Sequence, residues 1–187
     1  MNRNVNVANI VTSLRILSVP LMLYAVWTGN RELFFGLFLI AAFTDFLDGF
    51  LARTFRLQTP LGSKLDSTAD LLVYLSTGLA VFVFYWQDFG PYRYSLPVVV
   101  LYFIIPDLYS MIRFGSVSNL HLYSWKTGGI LQFLFVLILF RKGFVPWLYA
   151  VVFVWTTLAF LENMYIQISH RRKLSDVKSF IHLRKEK

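Results

Sequence analysis

Cysteine is absent from this 187-residue chain, which excludes disulfides and thiolate metal sites and leaves the redox compartment unread. Charge is scarce as well: 15% of residues are charged, where a soluble globular domain carries about a quarter. Apolar side chains take their place. They make up 57% of the chain and gather in long runs of the kind a membrane-spanning helix requires. No small-residue cleavage site follows the first run, so it reads as a retained span and not as a signal peptide. No linker, repeat or low-complexity tract appears. The length suits one domain, residues 1–170, followed by a basic tail over 171–187.

The runs predict an all-α integral membrane protein with six transmembrane helices, a juxtamembrane N-terminal segment and a basic C-terminal tail. The spans fall at Ile10–Thr28, Leu33–Ala52, Leu61–Trp86, Leu96–Phe114, Leu122–Phe140 and Val145–Ser169, each near the ~20 residues a crossing helix needs. The formal charge of +8 is distributed by side, which points to topology and anionic headgroups and away from nucleic acid. Every basic residue except Arg31, Arg93, Arg141 and Lys142 falls on one face. By the positive-inside rule both termini are cytoplasmic, and the bacterial plasma membrane is the expected location. In the tail, Leu174, Val177, Phe180 and Ile181 recur at helical spacing among basic residues. That pattern suits either an amphipathic helix on an anionic surface or a frayed soluble end. The many aromatics read as interface belts and bundle packing.

Four aspartates stand out against this background: Asp45, Asp48, Asp66 and Asp70. A charge at membrane depth costs roughly 2.5–3.5 kcal/mol on insertion scales, so such residues are functional candidates by default. Spacings of three and four place each pair on one helix face. The short link around Pro60 and Gly62 makes spans two and three antiparallel neighbours, so the four carboxylates can share a pocket at the cytoplasmic ends of these spans. An all-oxygen set suits Mg2+ or Mn2+, with positions left for substrate phosphates. Gly49, Ala52 and Gly62 allow close approach, and the Arg53 fork suits a phosphate oxygen. A carboxylate not used by metal can take a proton from an attacking hydroxyl. The competing reading is a plain ion-pair network with Arg15, Arg53, Arg56 and Lys64.

The pattern D-x2-D-G-x2-A-R-x8-G-x3-D-x3-D, filled by Asp45, Asp48, Gly49, Ala52, Arg53, Gly62, Asp66 and Asp70, resembles the signature of the CDP-alcohol phosphotransferase (CDP-alcohol phosphatidyltransferase) family. The six-span layout is similar to that family over the whole chain. The resemblance implies transfer of a substituted phosphate from a CDP-linked donor, usually CDP-diacylglycerol, to an alcohol with release of CMP. It also implies two divalent ions on the four aspartates, Asp70 as general base, and a homodimer. Gly49, Ala52 and Gly62 would give room to the cytidine nucleotide, with Arg53 meeting phosphate. Asn9, Thr12 and Arg15 resemble an N-x2-T-x2-R opening of the bacterial phosphatidyltransferase branch. Asn9 and Thr12 then line the nucleotide pocket, or else they mark a helix start capped by Asn6 or Asn9.

The acceptor half is less marked. Lys64, Arg113, His121 and Lys126 are the cationic candidates for a phosphorylated acceptor. Lys126-Thr127 with Gln132 is similar to the phosphatidylglycerophosphate synthase branch, which makes glycerol 3-phosphate the first choice of acceptor. Inositol phosphate, inositol and serine are the alternatives within the same chemistry. Arg113 and Lys126 also fit positive-inside anchoring, and His121 fits an interfacial histidine. Asp107 suits an acceptor pocket or a structural pair, and Glu162 with Asn163 is an interhelical hydrogen-bond candidate. Readings from other classes are an intramembrane prenyltransferase and a small cation transporter. The D-G-x2-A-R portion argues against the first, and the absence of duplicated halves argues against the second.

Overall fold

The computed structural model describes residues 7–55, 59–115, 120 and 122–170, with the side chains of Ala8, Arg53 and Pro60 excepted. Among the described residues six α-helices follow one another: α1 Val7–Trp27, α2 Arg31–Thr54, α3 Pro60–Tyr85, α4 Leu96–Phe114, α5 Tyr123–Lys142 and α6 Pro146–Ser169. All six are long and apolar enough to cross a membrane. A 3-10 turn over Gly90–Ser95 precedes α4. The described residues contain no strand. Each predicted span coincides with a helix to within three residues at either end. The link between the third and fourth predicted spans is thus not a plain connection, since Gly90 and Pro91 open this turn.

The helix ends follow local chemistry. Asn30 caps α2 by accepting from the Leu33 amide at 3.0 Å. Thr59 caps α3 by accepting from the Gly62 amide at 3.0 Å, with Pro60 in the first turn where its missing N–H costs nothing. Gly115 ends α4 at φ +71°, a conformation a Cβ disfavours. α1 and α4 continue through Pro20 and Pro106.

The chain forms two compact units, Met1–Trp86 and Gln87–Lys187. In the first, α1 packs against both α2 and α3, while α2 and α3 meet each other only briefly. Ala25, Ala41, Ala69 and Ala80 are buried in this unit with Met22 and Phe34. Small side chains let helices approach where lipid supplies no hydrophobic drive for association. Leu14, Leu17, Leu21 and Phe43 stay exposed, as lipid-facing positions do. At the far end of the unit, Arg31 donates to the Phe84 carbonyl at 2.7 Å and lies over the Tyr85 ring.

In the second unit α6 packs against α4 and α5. Phe89 is fully buried among Phe135, Phe144 and Tyr149. Polar side chains tie α5 to α6: Ser124 donates to Glu162 at 2.5 Å, Gln132 to Thr156 at 3.0 Å, and the Trp155 indole to the Ser124 carbonyl at 3.0 Å. Glu162 thus makes the interhelical bond its position suggested. Asn163 instead accepts from Gln167 within α6.

Candidate active site

The site lies in the first unit. Asp45 and Asp48 stand near the C-terminal end of α2; Asp66 and Asp70 stand in the second and third turns of α3. One oxygen from each of Asp45, Asp48 and Asp66 falls within a 4.8 Å cluster. Asp70 joins them through a shared partner. That partner is Arg15 of α1, whose two terminal nitrogens divide the carboxylates between them. Nη1 contacts Asp45 and donates to Asp70 at 3.0 Å. Nη2 donates to Asp48 at 2.9 Å and to Asp66 at 2.6 Å.

The convergence expected from spacing is present, but its route differs. The two acidic helices are bridged by a third helix that packs against both. Of the four cations named for the ion-pair reading, Arg15 makes contact with every carboxylate. Arg56 lies outside the described residues, as does the Arg53 side chain; Lys64 is exposed on α3.

The four carboxylates are not equivalent. Asp48 is 6% exposed, whereas Asp45, Asp66 and Asp70 are 53%, 48% and 56% exposed. Asp48 is sealed by the Thr12 hydroxyl, which donates to it at 2.6 Å. The other three face outward and can accept a ligand. Gly49 and Ala52 are half-buried on α2.

Asn9, Thr12 and Arg15 form one buried face of α1, at i, i+3 and i+6. Asn9 sits inside α1 and donates its side-chain amide to Thr59 at 3.3 Å, so it braces the start of α3 and does not cap a helix. Asn6 lies outside the described residues. Gly62 suits this arrangement, since a Cβ there would run into Asn9 Oδ1 and stand 3.1 Å from Thr59 Oγ1, so that the Asn9 side chain would have to shift.

The donor set fits a hard divalent ion: every donor is a carboxylate oxygen, three of them clustered, around a point where a guanidinium already stands as a cation. Asp45, Asp48 and Asp66 are the side chains placed to hold one.

The acceptor candidates are not brought together within one unit. Lys64 belongs to the first. Arg113 and Lys126 belong to the second, each exposed at a helix end. Arg113 lies against Tyr109 and Phe114. His121 lies outside the described residues, as does the tail, and Asp107 is exposed on α4.

Comparison with known proteins matches residues 5–162 to the CDP-alcohol phosphatidyltransferase family. The chain belongs to that family. Among its relatives is a CDP-diacylglycerol–glycerol-3-phosphate 3-phosphatidyltransferase of Pseudomonas fluorescens, 35% identical over 51% of this chain and 49% of that protein. A second, the chloroplastic/mitochondrial enzyme of the same name from Arabidopsis thaliana, is 30% identical over 75% of this chain and 53% of the relative. A third, a CMP-forming cardiolipin synthase of Oryza sativa, is 38% identical over 36% of this chain and 22% of the relative. The chain spans about half the length of the first two. No solved structure matches it.

Proposed function

We propose that this protein is a phosphatidyltransferase of lipid synthesis that moves the phosphatidyl group of CDP-diacylglycerol to glycerol 3-phosphate and releases CMP. The observation that carries this reading is the convergence of Asp45, Asp48, Asp66 and Asp70 at one end of α2 and α3, inside the family's signature. The names of the relatives favour glycerol 3-phosphate over inositol phosphate, inositol or serine.

In this reading two divalent ions, Mg2+ or Mn2+, supply charge neutralisation for the pyrophosphate and the leaving phosphate oxygen. Asp70, half-exposed, takes the proton from the acceptor hydroxyl as its oxygen bonds to the diacylglycerol-bearing phosphorus; the bond to the bridging oxygen breaks, and CMP leaves with that oxygen. Gly49, Ala52, Gly62, Asn9 and Thr12 shape the nucleotide side, and Arg53 meets a phosphate. Lys64, Arg113, His121 and Lys126 are the proposed acceptor cations. Residues 1–170 form the catalytic domain and 171–187 a basic tail, both termini are cytoplasmic, and the protein works as a homodimer. The charge asymmetry supports the orientation.

The test is CMP release from CDP-diacylglycerol by the purified protein with Mn2+, against glycerol 3-phosphate, inositol phosphate, inositol, serine and no acceptor. Release with glycerol 3-phosphate is expected, lost with chelator and reduced by about 10²–10⁴-fold in Asp70→Asn. Release with another acceptor only would overturn the choice of acceptor. No release with any would overturn the reaction.

A further inference from the structure

Arg15 is more than one more partner in an acidic cluster. Its side chain is 2% exposed. Each carboxylate meets it through a single oxygen: Oδ1 of Asp45, Asp66 and Asp70, and Oδ2 of Asp48. The second oxygen of each is not used by the guanidinium. Its Nε is buried without a hydrogen-bond partner, so the fork is oriented by its two terminal nitrogens alone. One guanidinium among four carboxylates leaves the site strongly negative, as a divalent-ion site must be.

We propose that Arg15 is the resident cation of the metal site: it holds the four carboxylates converged in metal-free protein and competes with divalent ions for their oxygens. This rests on the metal-dependent reading above and makes Arg15 a positioning residue. Two opposite effects follow from its removal. The metal-free protein loses the charge that offsets repulsion among the carboxylates, and so loses stability. Divalent ions meet a more negative site and bind more tightly, because a positive charge within a few ångströms opposes them. Removal also relaxes the convergence, which by itself weakens metal binding; an arginine that only positions the ligands would show that weakening alone, whereas for a competing cation the gain in negative charge outweighs it.

The experiment reads Mn2+ binding by electron paramagnetic resonance, and thermal unfolding in detergent with and without Mn2+. Wild type is compared with Arg15→Met, which removes charge at similar length, and Arg15→Lys, which keeps charge without the fork. For Arg15→Met, a lower metal-free Tm, a larger rise in Tm on adding Mn2+, and Mn2+ affinity at least about tenfold tighter than wild type are expected. Arg15→Lys is expected to bind Mn2+ within a few-fold of wild type. As a second readout that does not rest on the fold of Arg15→Met, Arg15→Ala is titrated with methylguanidinium, which is expected to raise the metal-free Tm and weaken Mn2+ binding. Mn2+ affinity in Arg15→Met equal to or weaker than wild type overturns the proposal, as does a methylguanidinium titration without effect. CMP release is not read, so these results stand apart from those that decide the transfer reaction. A wild-type protein that binds no Mn2+ overturns this proposal and the metal reading together.

Discussion

At the residue scale the four aspartates were legible in the sequence because carboxylates at membrane depth are costly and rare, so their spacing carries information. Their inequality was not legible. Asp48 is sealed because Thr12, on a different helix, donates to it at 2.6 Å, and no spacing within α2 announces that. Arg15 was legible as one of four possible partners and as the last residue of the N-x2-T-x2-R pattern, but not as the side chain that joins all four carboxylates. The signal that singles it out is the stripe Asn9, Thr12, Arg15 on one face of an otherwise apolar helix, which marks a buried polar seam. A hydrogen bond from a hydroxyl to a buried charged group contributes about 1.5–3 kcal/mol. Thr12→Val is therefore expected to lower the metal-free Tm in detergent, while Thr12→Ser keeps the donor and stays close to wild type. Equal Tm values for the two variants would mean that the bond carries no weight.

At the scale of elements, helix existence and extent followed from the length of the apolar runs; the caps at Asn30, Thr59-Pro60 and Gly115 are what the structure adds at their ends. Packing did not follow. A short α2–α3 link reads as direct contact, yet α1 lies against both helices and supplies the bridging side chain. Gly62 is the position where this packing is tightest, with Asn9 Oδ1 in the place a Cβ would occupy. Gly62→Ala must push Asn9 off Thr59 and disturb the start of α3. Overpacking of this kind costs typically 1–3 kcal/mol. The expected outcome is a drop in Tm and about a tenfold loss of CMP release, measured side by side. Gly36, with open space for a Cβ inside α2, serves as the control: Gly36→Ala should leave CMP release unchanged and should not lower Tm.

At the scale of the whole molecule, the six-helix membrane architecture was readable from the number and length of the apolar runs, while the grouping of helices into two compact units was not. Nothing in an apolar run says which neighbour it will choose. Orientation remains open to a direct check, and the cysteine-free chain makes the check simple. Thr54 and Tyr94 are exposed, at the end of α2 and in the 3-10 turn before α4. In intact cells a membrane-impermeant maleimide should label Tyr94→Cys and spare Thr54→Cys until the cells are opened. The opposite pattern would invert the topology.

The position of Arg15 along the chain has a consequence for how the protein is made. Chains emerge from the ribosome N-terminus first, so the helix with the cation is synthesised before the two that bring the acids. Asp45 and Asp48, and then Asp66 and Asp70, all follow in the chain the cation that they contact in the folded protein. An acidic helix that would enter lipid at a penalty on its own has its counter-ion encoded ahead of it. Reversing that order, with the acids first, would ask the membrane to hold four unpaired carboxylates until their cation was translated.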